Sequence, residues 1–170
     1  MQWLLLLMIA IVLLTMAFED FKNRTVHAVL FPVLFLLSFV YAFYHLDGYA
    51  ILKNIGISFC FLALQGILLV LYFVIKHKQW INITDGYLGW GDVLFMLAIL
   101  PFFSPLTYVL FYLSSLTVTI IFVLMYKIVV KEMKFIPLAG IQALCLLIVL
   151  HYHQFVSPVL LEERIFPLTM

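Results

Sequence analysis

Two acids in this chain sit where acids are costly. Gly89-Trp90-Gly91-Asp92 stands at the start of a hydrophobic stretch, and Asp20 lies at the end of the first one. An ionisable residue in or near hydrocarbon is expensive and marks a functional site by default. Two carboxylates brought together can share a proton, because like charges about 3 Å apart cannot both ionise easily. The ionised acid then acts as general base on a water held between them, and the protonated one polarises a scissile carbonyl. Asp20 and Asp92 are thus the minimum equipment for hydrolysing a peptide bond. Gly89 and Gly91 strip side chains from the backbone beside Asp92, so that another chain can approach closely.

The elements that must position these acids are membrane helices. Of 170 residues, 67% are hydrophobic and 10% charged, and mean hydropathy is +1.24. A soluble domain has roughly 45–50% apolar and about 25% charged residues. The composition predicts an all-α, polytopic membrane protein in a single domain over 1–170. A spanning helix needs about 20 mostly apolar residues. Six segments meet or approach this, at approximately 2–18, 27–45, 52–75, 88–103, 105–128 and 137–156. The expected architecture is a bundle of about six transmembrane helices. The amino-terminal run lacks a basic flank and a small-x-small cleavage site, and reads as a retained helix rather than a removed signal peptide.

Lysine and arginine in short loops set orientation. Loops one, three and five carry Lys22, Arg24, Lys76, Lys78, Lys127, Lys131 and Lys134, against Lys53 and Arg164 on the other side. Seven against two predicts these loops in the cytoplasm and both termini outside. Asp20, in loop one on this reading, and Asp92, just after loop three, then lie near the same cytoplasmic face. The pairing requires segments one and four to pack side by side.

With these residues in view, the sequence resembles a known family. Gly89-Trp90-Gly91-Asp92-Val93 is similar to the GxGD motif of type IV prepilin peptidases and archaeal preflagellin peptidases, which are membrane aspartyl proteases. Ala17-Phe18-Glu19-Asp20-Phe21-Lys22-Asn23-Arg24 resembles the family's first catalytic aspartate with its basic flank. Lys134-Phe135-Ile136-Pro137-Leu138-Ala139 resembles the basic-then-proline start of its last core helix, with Pro137 as the motif residue. The pieces run in the family's order from about Ala17 to Ala143. The resemblance implies that Asp20 and Asp92 are the catalytic pair. It further implies that a short basic leader is cleaved from prepilin-like precursors, of a pilus or a secretion system, at the inner-membrane cytoplasmic face. Two departures stand out: Val26-His27-Ala28 replaces the usual Ile/Leu-Pro-Asn/Asp, and Leu94 replaces a lysine common after the second aspartate. No segment with paired CxxC motifs is present, so the resemblance covers the peptidase alone, with no methyltransferase activity, zinc or other cofactor expected.

Other residues carry weaker signals. Glu19 adjoins Asp20, and the sequence alone leaves a swap between them open. Asp85 lies in loop three, as a solvated acid or a secondary group tuning the site or binding the leader. His151 and His153 are two apart, do not share a helix face and read as interfacial. Ser114, Ser115, Thr117 and Thr119 are expected to bond backbone or pack between helices. Cys60 and Cys145 are isolated and read as packing residues. The basic run Lys76-His77-Lys78-Gln79-Trp80 suits anionic membrane lipid, and no basic run suits nucleic acid. Two other functions compete. One is a non-catalytic relative that keeps the fold and binds or assembles partners. The other is a transporter or proton channel, which predicts acids deep along one path rather than near one face. Oligomeric state is not legible.

Overall fold

A computed structural model describes residues 2–23, 25–77, 89–129 and 138–156. The described residues are almost wholly helical, with no strand. The helices are α1 (Gln2–Asn23), α2 (Leu30–Phe43), α3 (Gly48–His77), α4 (Trp90–Ala98), α5 (Pro105–Val129) and α6 (Leu138–Val156), with a 3-10 turn at Leu100–Phe102 between α4 and α5. Three stretches are long and apolar enough to cross a membrane: Trp3–Asn23, Gly48–Lys76 and Pro105–Tyr126. Leu30–Phe43, Trp90–Phe102 and Leu138–His151 are shorter apolar helices.

The boundaries correct several sequence expectations. The first segment does not end at residue 18. It continues to Asn23, so Glu19, Asp20 and Lys22 belong to its last turns rather than to a loop. Polarity alone does not stop a helix, and Glu19 to Asn23 contains neither glycine nor proline. The second begins at Leu30 rather than 27, because Pro32 has no N–H and is tolerated only in a first turn. The fourth segment, expected over 88–103, is a helix of nine residues. At 1.5 Å per residue it is only about 13 Å long, well short of a hydrocarbon core of about 30 Å. Pro101 explains the stop, since it has no N–H to bond the carbonyl four residues back and its ring crowds that carbonyl. The chain tightens into the 3-10 turn, extends at Phe103, and restarts with Pro105 in the first position of α5. Ser104 precedes it as a cap: its Oγ shares a 2.9 Å hydrogen bond with Thr107 Oγ1, and its carbonyl accepts the Tyr108 N–H at 2.8 Å.

A helix that stops in apolar surroundings must still satisfy its last carbonyls. Here neighbouring helices supply the donors. Ser38 of α2, wholly buried, shares its hydroxyl proton between Phe35 O of its own helix at 2.7 Å and Ala98 O at 3.0 Å, and the Tyr108 hydroxyl of α5 donates to Met96 O at 3.2 Å. The core gathers around this junction, with Phe95, Ile99, Phe103 and Tyr108 packed with Ile9, Leu13, Met16 and Leu34. On α1 the buried positions Leu5, Ile9, Leu13, Met16 and Asp20 follow helical spacing, while Leu4, Leu7, Ile11, Leu14 and Phe18 on other faces are exposed. Packing differs from the expected pairing of segments one and four. The main neighbours of α1 are α6 and α2, and those of α4 are α2 and α6. Helices α3 and α5 pack on each other, and α5 also packs on α6.

Candidate functional site

Asp92 is the third residue of α4, after the N-cap Gly89. Its carboxylate turns back to accept the N–H of Gly89, as an acid at this position does in a capping box. Its own N–H donates to Gly89 O at 3.1 Å. The return is close. A Cβ on Gly89 would sit 2.9 Å from Asp92 Oδ2, so a side chain there would make the Asp92 carboxylate shift. At Gly91 a Cβ would meet only Phe31 at 3.7 Å, an ordinary contact. The crowding at Gly89 thus comes from Asp92 of the same helix and not from another chain or a neighbouring helix.

Asp20 lies in the last two turns of α1 and is 8% exposed. Its Oδ2 accepts the N–H of Gly140 at 2.6 Å, across 120 residues. The N–H of the preceding residue, Ala139, lies close enough to Asp92 to act on its carboxylate. Since α6 begins at Leu138, both donors belong to its first turn, where backbone N–H groups have no intrahelical acceptor. The helix dipole adds a favourable field for negative charge. The first turn of α6 therefore holds Asp20 through Gly140 and faces Asp92 through Ala139, and the carboxylates are near enough to act on each other electrostatically. Helix α6, not a direct α1–α4 contact, brings them together. Gly140 makes this possible: a Cβ there would lie 3.1 Å from Asp20 Oδ2, 3.2 Å from Asp20 Cβ and 3.3 Å from the Phe21 ring.

Glu19 turns elsewhere. Its Oε2 accepts the backbone N–H of His27 at 2.9 Å, and its Oε1 lies 2.7 Å from His27 Nδ1. The choice between Glu19 and Asp20 left open by the sequence is thus separated by geometry, since only Asp20 meets α6 and Asp92. Asp85 and Pro137 lie outside the described residues, as do Lys78, Trp80 and Gly86. The hydroxyls of α5 bond backbone carbonyls of their own helix: Ser114 to Phe111, Ser115 to Tyr112, Thr117 to Leu113 and Thr119 to Ser115. Sequence reasoning missed Ala139 and Gly140. The available signal was a glycine one turn into a helix whose start had already been marked by Pro137.

Chemically, the site is a pair of carboxylates beside the first turn of α6, Asp20 fixed by a backbone donor and both retaining lone pairs. Such a pair can hold one proton and one water between an acid and its conjugate base. No protein-family model, curated protein or solved structure matches the chain.

Proposed function

We propose that this chain is a membrane aspartic endopeptidase of the prepilin-peptidase type, folded as a bundle of about six membrane helices. Asp20 and Asp92 activate a water that cleaves a short basic leader from prepilin-like precursors at the cytoplasmic face of the inner membrane. The observation that carries this reading is the convergence of the two aspartates on Ala139 and Gly140 of α6. An acid pair with Asp20 buried and Asp92 part-buried against the start of α6, at the ends of two apolar helices, matches what water activation requires. It is costly to keep for packing alone.

In the reaction, the ionised aspartate takes a proton from the water as the water's oxygen bonds to the scissile carbonyl carbon. The protonated aspartate donates to the carbonyl oxygen. Collapse then breaks the C–N bond, and the leaving amine receives a proton from the pair. No metal or cofactor takes part, and methylation of the new amino terminus is not expected.

The test is a cleavage assay with the full chain reconstituted in a bilayer and a pilin-like precursor bearing a basic leader. The expected result is one new amino terminus, found by mass spectrometry, at a rate unchanged by EDTA. An uncut precursor at equimolar protein, or a rate abolished by EDTA, contradicts the proposal.

A further inference from the structure

We propose that Glu19 is a positioning residue for Asp20, clasping His27 so that the last turns of α1 are held in register with the start of α2. This rests on the reading of Asp20 as one of the catalytic pair.

The last carbonyls of a helix have no intrahelical donors, and its final turn frays unless something else holds it. Helix α1 ends at Asn23, so Asp20 lies within that vulnerable stretch. Residues 25–27 carry no regular structure before α2, whose N-cap, Val29, makes no side-chain cap hydrogen bond. The corner is tied instead by Glu19. One carboxylate meets the backbone and the ring of the same residue, His27, at 2.9 and 2.7 Å. His27 in turn accepts the Leu30 N–H on its carbonyl at 3.0 Å, which links the clasp to the first residue of α2. Two simultaneous contacts fix rotation as well as distance.

Adjacent helical residues point about 100° apart. With Glu19 held to the corner, Asp20 is directed towards α6, where Oδ2 must meet the Gly140 N–H at 2.6 Å. Release of Glu19 lets this turn rotate or fray and carries Asp20 with it. The clasp is not itself part of the chemistry. Both of its carboxylate oxygens are engaged by His27, whose side chain is 77% exposed.

The test uses the full chain in a bilayer, with initial rates of leader release resolved into kcat and KM. Glu19→Ala is expected to lower kcat about tenfold while KM stays within about twofold, because orientation of the acid is lost and substrate binding is not. Glu19→Gln keeps an oxygen for the His27 N–H and is expected to stay within about threefold of the wild-type kcat. His27→Ala removes the ring and leaves the backbone donor, for a loss of about threefold in kcat. The double variant Glu19→Ala, His27→Ala is expected to be no slower than Glu19→Ala alone, since the two act through one contact.

A wild-type kcat for Glu19→Ala overturns the clasp. So does a glutamine variant as slow as the alanine one, which would make the charge itself the active feature, and so does a multiplicative double variant. Should Glu19→Ala fail to fold, the glutamine and His27→Ala variants decide, and an unchanged kcat for His27→Ala overturns the proposal. Asp20→Asn is measured alongside. If it is inactive while Glu19→Ala is normal, only the clasp fails; if it cleaves at full rate, the reading of the catalytic pair fails first.

Discussion

Asp92 dictates its own neighbourhood. Its carboxylate folds back on the N–H of Gly89, and the 2.9 Å gap to a Cβ at that position leaves no room for one. Gly89→Ala must therefore turn Asp92 aside, and a displacement of about 1 Å at a reacting group is worth on the order of a hundredfold in rate. We expect kcat for leader release to fall by about 10- to 100-fold in Gly89→Ala. Gly91→Ala, where a Cβ would meet Phe31 at an ordinary 3.7 Å, should stay within about threefold. Equal losses in the two variants would show that the string acts as a unit rather than through the fold-back. At this scale the sequence is informative about side chains and silent about backbone. Asp92 was legible because an acid beside eight apolar residues is conspicuous. Ala139 and Gly140 were not, because they contribute N–H groups, which every residue but proline carries. The choice between Glu19 and Asp20 was nearly legible. Leu13, Met16 and Asp20 continue one helical stripe, but ending the helix at residue 18 hid it.

Helix α4 is short, and its placement depends on neighbours at both ends. Ser38 and Tyr108 satisfy the carbonyls of Ala98 and Met96 at one end, while Asp92 and Ala139 meet at the other. Ser38→Ala and Tyr108→Phe each remove a hydroxyl without changing the packing volume much. Each should orphan a carbonyl and lower stability by about 1–3 kcal/mol, measured by denaturant unfolding in detergent micelles. No loss in either would mean that α4 is held by apolar packing alone. Gly140→Ala tests the other junction. Its Cβ would press on Asp20 and Phe21, so α1 and α6 must separate by a few tenths of an ångström, lengthening the Asp20 hydrogen bond and lowering kcat. The break at Pro101–Pro105 was legible from proline chemistry. That α6 is the shared partner of α1 and α4 was not, because apolar helix faces in this chain look alike from sequence: α1 has leucine and isoleucine on its exposed and buried sides both.

Three helices among the described residues are long and apolar enough to cross a membrane. Long apolar helices expose leucine, isoleucine and phenylalanine outwards, and α3 does so along nearly its full length. Proposed orientation adds a direction to that body, with the aspartate pair at the cytoplasmic end. In a background lacking Cys60 and Cys145, Lys22→Cys should react with a membrane-impermeant thiol reagent only from the cytoplasmic side, and Lys53→Cys only from the opposite side. Labelling of both from one side would contradict the charge-based topology. The long apolar helices were legible from composition alone. The length of each was not, since α4 and its 3-10 turn fill a stretch that hydropathy reads as one span. The most direct test of the central claim compares leader release by the full chain with that of Asp20→Asn, Asp92→Asn and the double variant in the same bilayer. If the acids act as one pair, each single change should lower kcat by at least about a thousandfold, and the double should be scarcely slower than either. Cleavage at the wild-type rate by either single variant would contradict the account.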